Sequence, residues 1–165
     1  MLELLYATGL RVSELVALPA DQFRRELETI LVRGKGGRER LVALGAPARL
    51  AVMRWLAHQD ETALGATSTY LFPAGEHHVT RQQFASALKG LAEEAGIDPA
   101  RVSPHVLRHS FATHMMNRGA NLRGLQTLLG HADISTTQIY TATRPDRLAG
   151  LVTQAHPLAD RNHQD

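Results

Sequence analysis

Three side chains early in the second half of the chain have the types and spacing to bind an anion. His105 and Arg108 project about 60° apart on a helical wheel, with His109 beside them. Leu107 and Phe111 point to another side, so one face is cationic and one is apolar. An imidazole and a guanidinium aimed at one point suit a phosphate group, although an ordinary solvated helix face has the same pattern.

The spacing of the residues argues against a two-histidine metal site and against a nucleotide-binding loop. His105 and His109 are separated like the ligands of a two-histidine metal site, but the Glu of a His-Glu-x-x-His motif is absent. Gly34-Lys35-Gly36-Gly37 lacks the spacing of a nucleotide-binding loop and lies between strand-like runs. We therefore expect no metal and no nucleotide cofactor. Lys35 is either a simple turn residue or a mobile donor that can be delivered to a bound phosphate.

The composition limits the remaining chemistry. The chain has 165 residues, 44% of them hydrophobic, and no cysteine, which fits one ordinary domain without disulfides or thiolate nucleophiles. Covalent chemistry must then use Ser, Thr, Tyr, Lys or a carboxylate. Neither a membrane-spanning run nor a signal peptide is present in the sequence, so we expect a cytoplasmic protein without a membrane partner.

Charge is distributed unevenly along the chain. The formal net charge is only +2, but residues 101–165 carry seven basic and four acidic side chains together with six of the nine histidines. The second half is therefore the better candidate for facing an anion.

Helical signals dominate the segments that must position these groups. A helical apolar pattern over residues 2–18 is interrupted at Gly9, and further helices are predicted at 47–58, 80–95, 103–118, 121–130, 133–140 and 146–155. Two short β-type runs, 29–32 and 40–44, flank the glycine-rich turn. The sequence predicts a mainly α domain with one small antiparallel β-sheet, in the α+β class.

Four stretches, taken in order, resemble the motif boxes of the tyrosine recombinase (phage integrase) family. They are TGLRVSEL at 8–15, GKGGRER at 34–40, HVLRHSFATH at 105–114 and LGHADISTTQIY at 129–140. The resemblance runs from Met1 to about Pro157, and the stretch 147–157 is similar to the tail of the XerC/XerD branch. It implies the family's catalytic-domain fold over residues 1–157, followed by a polar tail at 158–165.

The resemblance also implies an activity and its partners. The family performs site-specific recombination of double-stranded DNA, without a cofactor, through a 3′-phosphotyrosine intermediate, and so resolves chromosome or plasmid multimers or integrates mobile DNA. The implied assembly is a cyclic tetramer on two DNA duplexes, with a second Xer-type recombinase and a DNA translocase as further partners.

The family's catalytic set falls on Arg11, Lys35, His105, Arg108, His131 and Tyr140. Two guanidinium groups suit the non-bridging phosphate oxygens because each stays protonated and can bond bidentately. By resemblance, Tyr140 is the nucleophile and Lys35 protonates the departing 5′ oxygen. His105 then assists as a base, and His131 hydrogen-bonds the phosphate.

The chain also departs from the family pattern. Family members carry an amino-terminal helical domain and begin before the Arg11 motif, so we expect an N-terminally truncated catalytic domain with apolar surface exposed on residues 2–18. An apolar stripe of Leu148, Leu151 and Val152 fits docking into a neighbouring protomer, and equally fits packing on its own domain.

Several alternatives remain open from the sequence. A catalytically silent DNA-binding or assembly module would explain the same truncation, and a type IB topoisomerase would use similar chemistry. Glu14 is either a partner that orients Arg11 or an ordinary surface pair, and it is left outside the predicted site. Trp55 is expected in the core, while Arg81 and Arg101 are candidates for contacts with bases.

Overall fold

Helices and two short hairpins form the part of the chain that the structure describes. This computed structural model describes residues 1–24, 28–34, 37, 39–62, 68–121, 124–125, 129, 150 and 155–156. The helices are α1 (Leu2–Thr8), α2 (Val12–Val16), α3 (Ala46–Thr62), α4 (Arg81–Glu94) and α5 (Pro104–Asn117). The strands are β1 (Thr29–Arg33), β2 (Glu39–Ala43), β3 (Pro73–Ala74) and β4 (His77–His78). None of the helices in these ranges is long and apolar enough to cross a membrane.

The predicted fold class is confirmed, with one addition. Strands β1 and β2 pair antiparallel, with Val32 opposite Arg40, as the apolar runs around the glycine-rich turn predict. Strands β3 and β4 form a second small hairpin that the sequence did not reveal. Tyr70 forms an isolated antiparallel bridge to Pro19, in the segment after α2.

Helices α4 and α5 begin where their capping residues predict. Thr80 accepts a hydrogen bond from the backbone N–H of Gln83 at 3.1 Å, and the Gln83 side chain accepts from the backbone N–H of Thr80 at 2.8 Å. Ser103 accepts from the backbone N–H of Val106 at 3.2 Å, with Pro104 in the first turn of α5. These bonds satisfy amide groups that have no partner inside the helix.

The expected exposure of apolar surface on residues 2–18 is wrong for most of the segment. Helix α1 packs against α3 and α5, so its apolar face is covered within the chain. Leu2 is 37% exposed. The buried apolar side chains of this segment are Leu4, Leu5, Ala7, Leu10, Leu15, Val16 and Leu18.

Trp55 lies in the core region, as predicted. Its indole Nε1 donates a hydrogen bond to the Leu71 carbonyl at 2.7 Å, and its ring contacts Phe72 with centroids 5.9 Å apart. A donor satisfied by the backbone and a ring in contact with the core leave this side chain in a packing role.

Two residues near the carboxyl end pack onto their own domain. Ala155 is buried with Phe111 and Met115 of α5. The His156 ring Nε2 lies 3.1 Å from the Tyr6 carbonyl oxygen of α1, and Arg118 donates to the His156 carbonyl at 3.4 Å. At these positions the structure supports packing in cis, whereas the stripe of Leu148, Leu151 and Val152 lies outside the described residues.

Burial of His156 predicts a pH-dependent contribution to stability. Burial lowers the pKa of His156 below its ordinary value of 6.5, and nearby Arg118 lowers it further, although the Tyr6 carbonyl partly opposes both. The folded state thus favours the neutral ring, so this stability is present above pH 6.5 and is lost as the pH falls through the lowered pKa. Denaturant unfolding of His156→Gln should show a smaller loss of stability between pH 7 and the acid range than the parent chain. His77→Gln, at an exposed position of β4, is the control, and equal pH profiles for both variants and the parent would contradict this role.

Candidate active site

The turn between α1 and α2 places Arg11. Gly9 ends α1 in a left-handed conformation, with φ 61°, and its N–H bonds to the Leu5 carbonyl. Leu10 is then buried, and Arg11 follows as the residue that precedes the first turn of α2. The buried leucine on one side and the helix start on the other fix the backbone from which the Arg11 side chain leaves.

The carboxylate of Glu14 lies at the centre of this site. Glu14 is 5% exposed, and its Oε2 accepts the backbone N–H of Arg11 at 2.7 Å. Its Oε1 accepts from Nη1 of Arg11 at 3.0 Å. The carboxylate therefore both starts the helix and holds the guanidinium.

Arg40 of strand β2 reaches the same carboxylate from the hairpin. Its Nη1 donates to Glu14 Oε1 at 2.6 Å, and its Nη2 donates to Oε2 at 2.9 Å. Burial alone would raise the pKa of Glu14, but the bonds from Arg40 and Arg11 outweigh burial and lower that pKa. Glu14 is thus ionised and shared between two guanidinium groups.

Arg108 enters the site from helix α5. Its Nη1 donates to the Gly9 carbonyl, and its Nη2 donates to the Leu129 carbonyl at 2.6 Å. Phe111, one turn further along, is fully buried and anchors the helix against the Gly9 turn. The two backbone carbonyls hold the guanidinium next to the turn that carries Arg11.

Arg108 is affected by the charges around it. Its pKa is lowered to about 10, mainly by burial and further by the charges of Arg11 and Arg40, while Glu14 opposes these effects. A guanidinium with this pKa remains protonated at neutral pH. Arg11, Arg40 and Arg108 therefore surround one carboxylate with an excess of positive charge, which suits the binding of an anion.

The structure brings some of the predicted site residues together and leaves others untested. Arg11 and Arg108 meet at the Gly9 turn, and His105 lies exposed one helical turn before Arg108. His109, also on α5, is exposed. The predictions for Lys35, His131 and Tyr140 fall outside the described residues.

Two residues of the site were not identified from the sequence. The i, i+3 spacing of Glu14 from Arg11 also fits a surface pair, and no sequence signal marks Arg40 as a site residue. The available signal was the position of Glu14 among buried residues, since Leu15 and Val16 beside it read as core. A carboxylate in such a segment requires cationic partners.

Among the residues that the structure describes, no cluster of three or more His, Asp or Glu side chains is placed to hold a metal ion.

Comparison with known proteins confirms the family predicted from the motif boxes. A sequence profile described as the phage integrase family matches residues 1–147. The tyrosine recombinase XerD of Brucella suis biovar 1 (strain 1330) is 53% identical over 162 residues, covering 97% of this chain and 52% of XerD. The tyrosine recombinase XerC of Erythrobacter litoralis (strain HTCC2594) is 50% identical over 161 residues, covering 98% of this chain and 51% of XerC.

A solved structure supports the fold. The XerH site-specific recombinase bound to difH substrate, in a pre-cleavage complex, superposes with a TM-score of 0.69 at 28% sequence identity. The match covers 92% of this chain and 44% of that chain. The chain spans about half the length of the XerD and XerC relatives.

The close approach at Gly9 predicts a large cost for any side chain there. A Cβ atom at Gly9 would lie 2.6 Å from Cε1 of Phe111 and still closer to Cδ1, and φ is positive. Gly9→Ala should therefore lower the free energy of unfolding by about 3 kcal/mol, combining overpacking with left-handed strain. Gly96→Ala has a similar φ of 69° with no neighbour within 4 Å of the added atom. It should cost about 1 kcal/mol, and equal losses in urea unfolding would contradict the packing argument.

The shared carboxylate predicts a second stability effect. Glu14→Gln leaves two guanidinium groups without their anion, and at neutral pH it should lower the free energy of unfolding by about 3 kcal/mol. Glu39→Gln breaks the exposed Arg33 pair and should cost less than about 1 kcal/mol. Because the pKa of Glu14 is lowered, its stabilisation is present above its ordinary value of 4.5 and is lost as the pH falls through the lowered pKa. The Glu14→Gln variant should therefore lose less stability in acid than the parent, as unfolding curves at several pH values would reveal.

Proposed function

Because the chain belongs to the phage integrase family, we propose that it is the catalytic domain of a tyrosine-type site-specific recombinase. Its reaction is cleavage and rejoining of DNA strands, without metal or nucleotide, through a covalent 3′-phosphotyrosine intermediate. The proposed domain covers residues 1–157, with 158–165 as a polar tail. We propose this function for the whole protein. The XerD and XerC relatives are about twice as long as this chain.

The observation that supports this function is the meeting of Arg11 and Arg108. The two residues are nearly one hundred positions apart, yet the Arg108 guanidinium donates to the carbonyl of Gly9, two residues before Arg11. Two protonated guanidinium groups at one turn can neutralise charge on the non-bridging oxygens of a phosphodiester. That charge grows as the phosphorus is attacked, so the same groups bind the transition state more strongly than the substrate.

The remaining roles are assigned to residues from the family set. In the proposed step the Tyr140 oxygen attacks phosphorus, the bond from phosphorus to the 5′ oxygen breaks, and a tyrosine phosphodiester forms. The phenolic proton passes to His105, and the 5′ oxygen takes a proton from Lys35. His131 donates a hydrogen bond to the phosphate. Rejoining reverses each transfer, so the bond energy is kept without a cofactor.

We assign double-stranded DNA with a recombination site as the partner. XerH was solved bound to its difH substrate, and Arg11 and Arg108 at the Gly9 turn have the charge to bind a phosphate backbone. The proposed assembly is a cyclic tetramer on two duplexes, with a second Xer-type recombinase and a DNA translocase as further partners. Ala155 and His156 pack in cis in this single chain, so trans docking would apply to the stripe of Leu148, Leu151 and Val152.

Covalent trapping tests the proposed activity. The chain is incubated with chelator and nicked duplex DNA that carries a Xer-type recombination site, with a parallel fusion that supplies the amino-terminal half of XerD. We expect an adduct of protein and DNA that survives SDS, because cleavage next to a nick releases a short strand that cannot rejoin. Tyr140→Phe should abolish the adduct, whereas the matched control Tyr70→Phe should retain it.

The outcomes separate the enzyme from a silent module. An adduct in the chain or in the fusion that is lost in Tyr140→Phe supports the recombinase. DNA binding without an adduct in both proteins would contradict the enzyme and favour the DNA-binding or assembly module. An adduct that persists in Tyr140→Phe would overturn the assignment of the nucleophile.

A further inference from the structure

Arg40 joins the β1–β2 hairpin to helix α2 through the Glu14 carboxylate. Its two terminal nitrogens each donate to a different carboxylate oxygen, at 2.6 and 2.9 Å. Its side chain is 12% exposed, so the pair is largely removed from water. The backbone of Arg40 is fixed by its pairing with Val32, which is itself buried.

This arrangement sets how Glu14 can bind Arg11. Both carboxylate oxygens of Glu14 accept hydrogen bonds from Arg40. A bidentate ion pair between Glu14 and Arg11 would therefore have to compete with the bidentate pair that Arg40 already forms. Arg11 instead reaches Oε1 through Nη1 at 3.0 Å, while its backbone N–H reaches Oε2. The edge of the Arg11 guanidinium that meets Glu14 is thereby fixed, and with it the direction in which the rest of the group points.

The charges lead to the same conclusion. With Arg40 present, the group formed by Glu14, Arg11 and Arg40 carries one net positive charge, and Arg108 adds a second. Without Arg40 the carboxylate would cancel the charge of Arg11, and Arg108 alone would face the anion. A phosphodiester that gains negative charge during attack is stabilised better by the larger positive charge.

Building on the proposed function, we infer that Arg40 is a positioning residue: it holds Glu14 so that Arg11 is fixed in the orientation that binds the scissile phosphate. Arg40 acts through Glu14 and Arg11 and makes no direct contact with the reacting atoms. This role differs from that of Lys35, which follows β1 in the sequence and is proposed to serve the leaving group.

The hairpin contains a matched control for this inference. Arg33 and Glu39 form an ion pair at 2.7 Å across the same two strands, but the Arg33 side chain is 81% exposed. Arg33→Gln therefore removes one arginine and one ion pair from this hairpin without touching Glu14. Comparison of Arg40→Gln with Arg33→Gln isolates the effect of the shared carboxylate.

The first experiment measures single-turnover formation of the covalent adduct. Arg40→Gln should slow the step by about 10²-fold because a small misplacement of a positioned group has this effect. Its affinity for DNA should stay close to that of the parent. Arg40→Lys keeps the positive charge beside Glu14 and should recover part of the rate, while Arg33→Gln should react like the parent. Equal rates for Arg40→Gln and Arg33→Gln would overturn the inference.

The second experiment identifies the route by which Arg40 acts. In DNA with a 5′-bridging phosphorothiolate the leaving group is a thiolate, which departs without a proton donor. The defect of Lys35→Ala should shrink on this substrate. The defect of Arg40→Gln should stay the same size, because Arg11 acts on the non-bridging oxygens. If Arg40→Gln recovered its rate on the phosphorothiolate substrate, Arg40 would act through Lys35, which contradicts the assigned route.

A third measurement does not depend on cleavage. Carboxyl carbon NMR of Glu14 and proton exchange of the Arg11 Nη–H groups are compared in the parent, Arg40→Gln and Arg33→Gln. We expect a raised Glu14 pKa and an altered Arg11 exchange rate in Arg40→Gln alone, because Arg11 can then re-form its contacts with both oxygens of Glu14. Unchanged signals would overturn the inference whether or not the chain cleaves DNA. Failure of all variants to form an adduct would count against the proposed function instead. If Arg40→Gln does not fold, Arg40→Lys compared with Arg33→Lys decides the same question.

Discussion

A buried carboxylate that must be neutralised organises the centre of the described structure. Glu14 is 5% exposed, and ionised carboxylates are rarely tolerated at such positions without partners. The partners are a backbone N–H and two guanidinium groups, which come from the start of α2 and from strand β2. One side chain thus ties a helix to the β1–β2 hairpin through Arg40, which lies 26 residues further along the chain. The position of Arg11 follows from this neutralisation, since Arg11 is part of it.

The second half of the site depends on how closely two helices can approach. Gly9 has no side chain, so the Phe111 ring of α5 packs directly against the end of α1. That packing brings Arg108, three residues before Phe111, within reach of the Gly9 and Leu129 carbonyls. The burial of the Phe111 ring therefore positions the Arg108 guanidinium group. The cost of desolvating it is visible in a pKa lowered to about 10, which still leaves it charged at neutral pH.

The sequence predicted what depends on local signals and missed what depends on distant partners. Helix starts at Thr80 and Ser103 follow from capping chemistry, and Arg11, His105 and Arg108 were recognised as motif positions. The roles of Glu14 and Arg40 were missed because burial of the carboxylate and its second guanidinium partner are set by tertiary structure. The prediction that residues 2–18 are exposed is wrong for the same reason, since α3 and α5, the helices that cover α1, begin only at Ala46 and Pro104.

Packing links the carboxyl end of the described chain to the site. Ala155 shares its apolar cluster with Phe111 and Met115. The His156 ring lies tilted against Phe111, with centroids 5.6 Å apart, and its Nε2 contacts the Tyr6 carbonyl. Phe111 is the residue that holds α5 against the Gly9 turn. Withdrawal of residues 155–156 would therefore remove contacts from Phe111, the side chain that positions Arg108. Because close-packed interiors transmit strain, Arg108 would be displaced as well. The position of Arg108 and the packing of residues 155–156 thus both depend on the apolar cluster around Phe111.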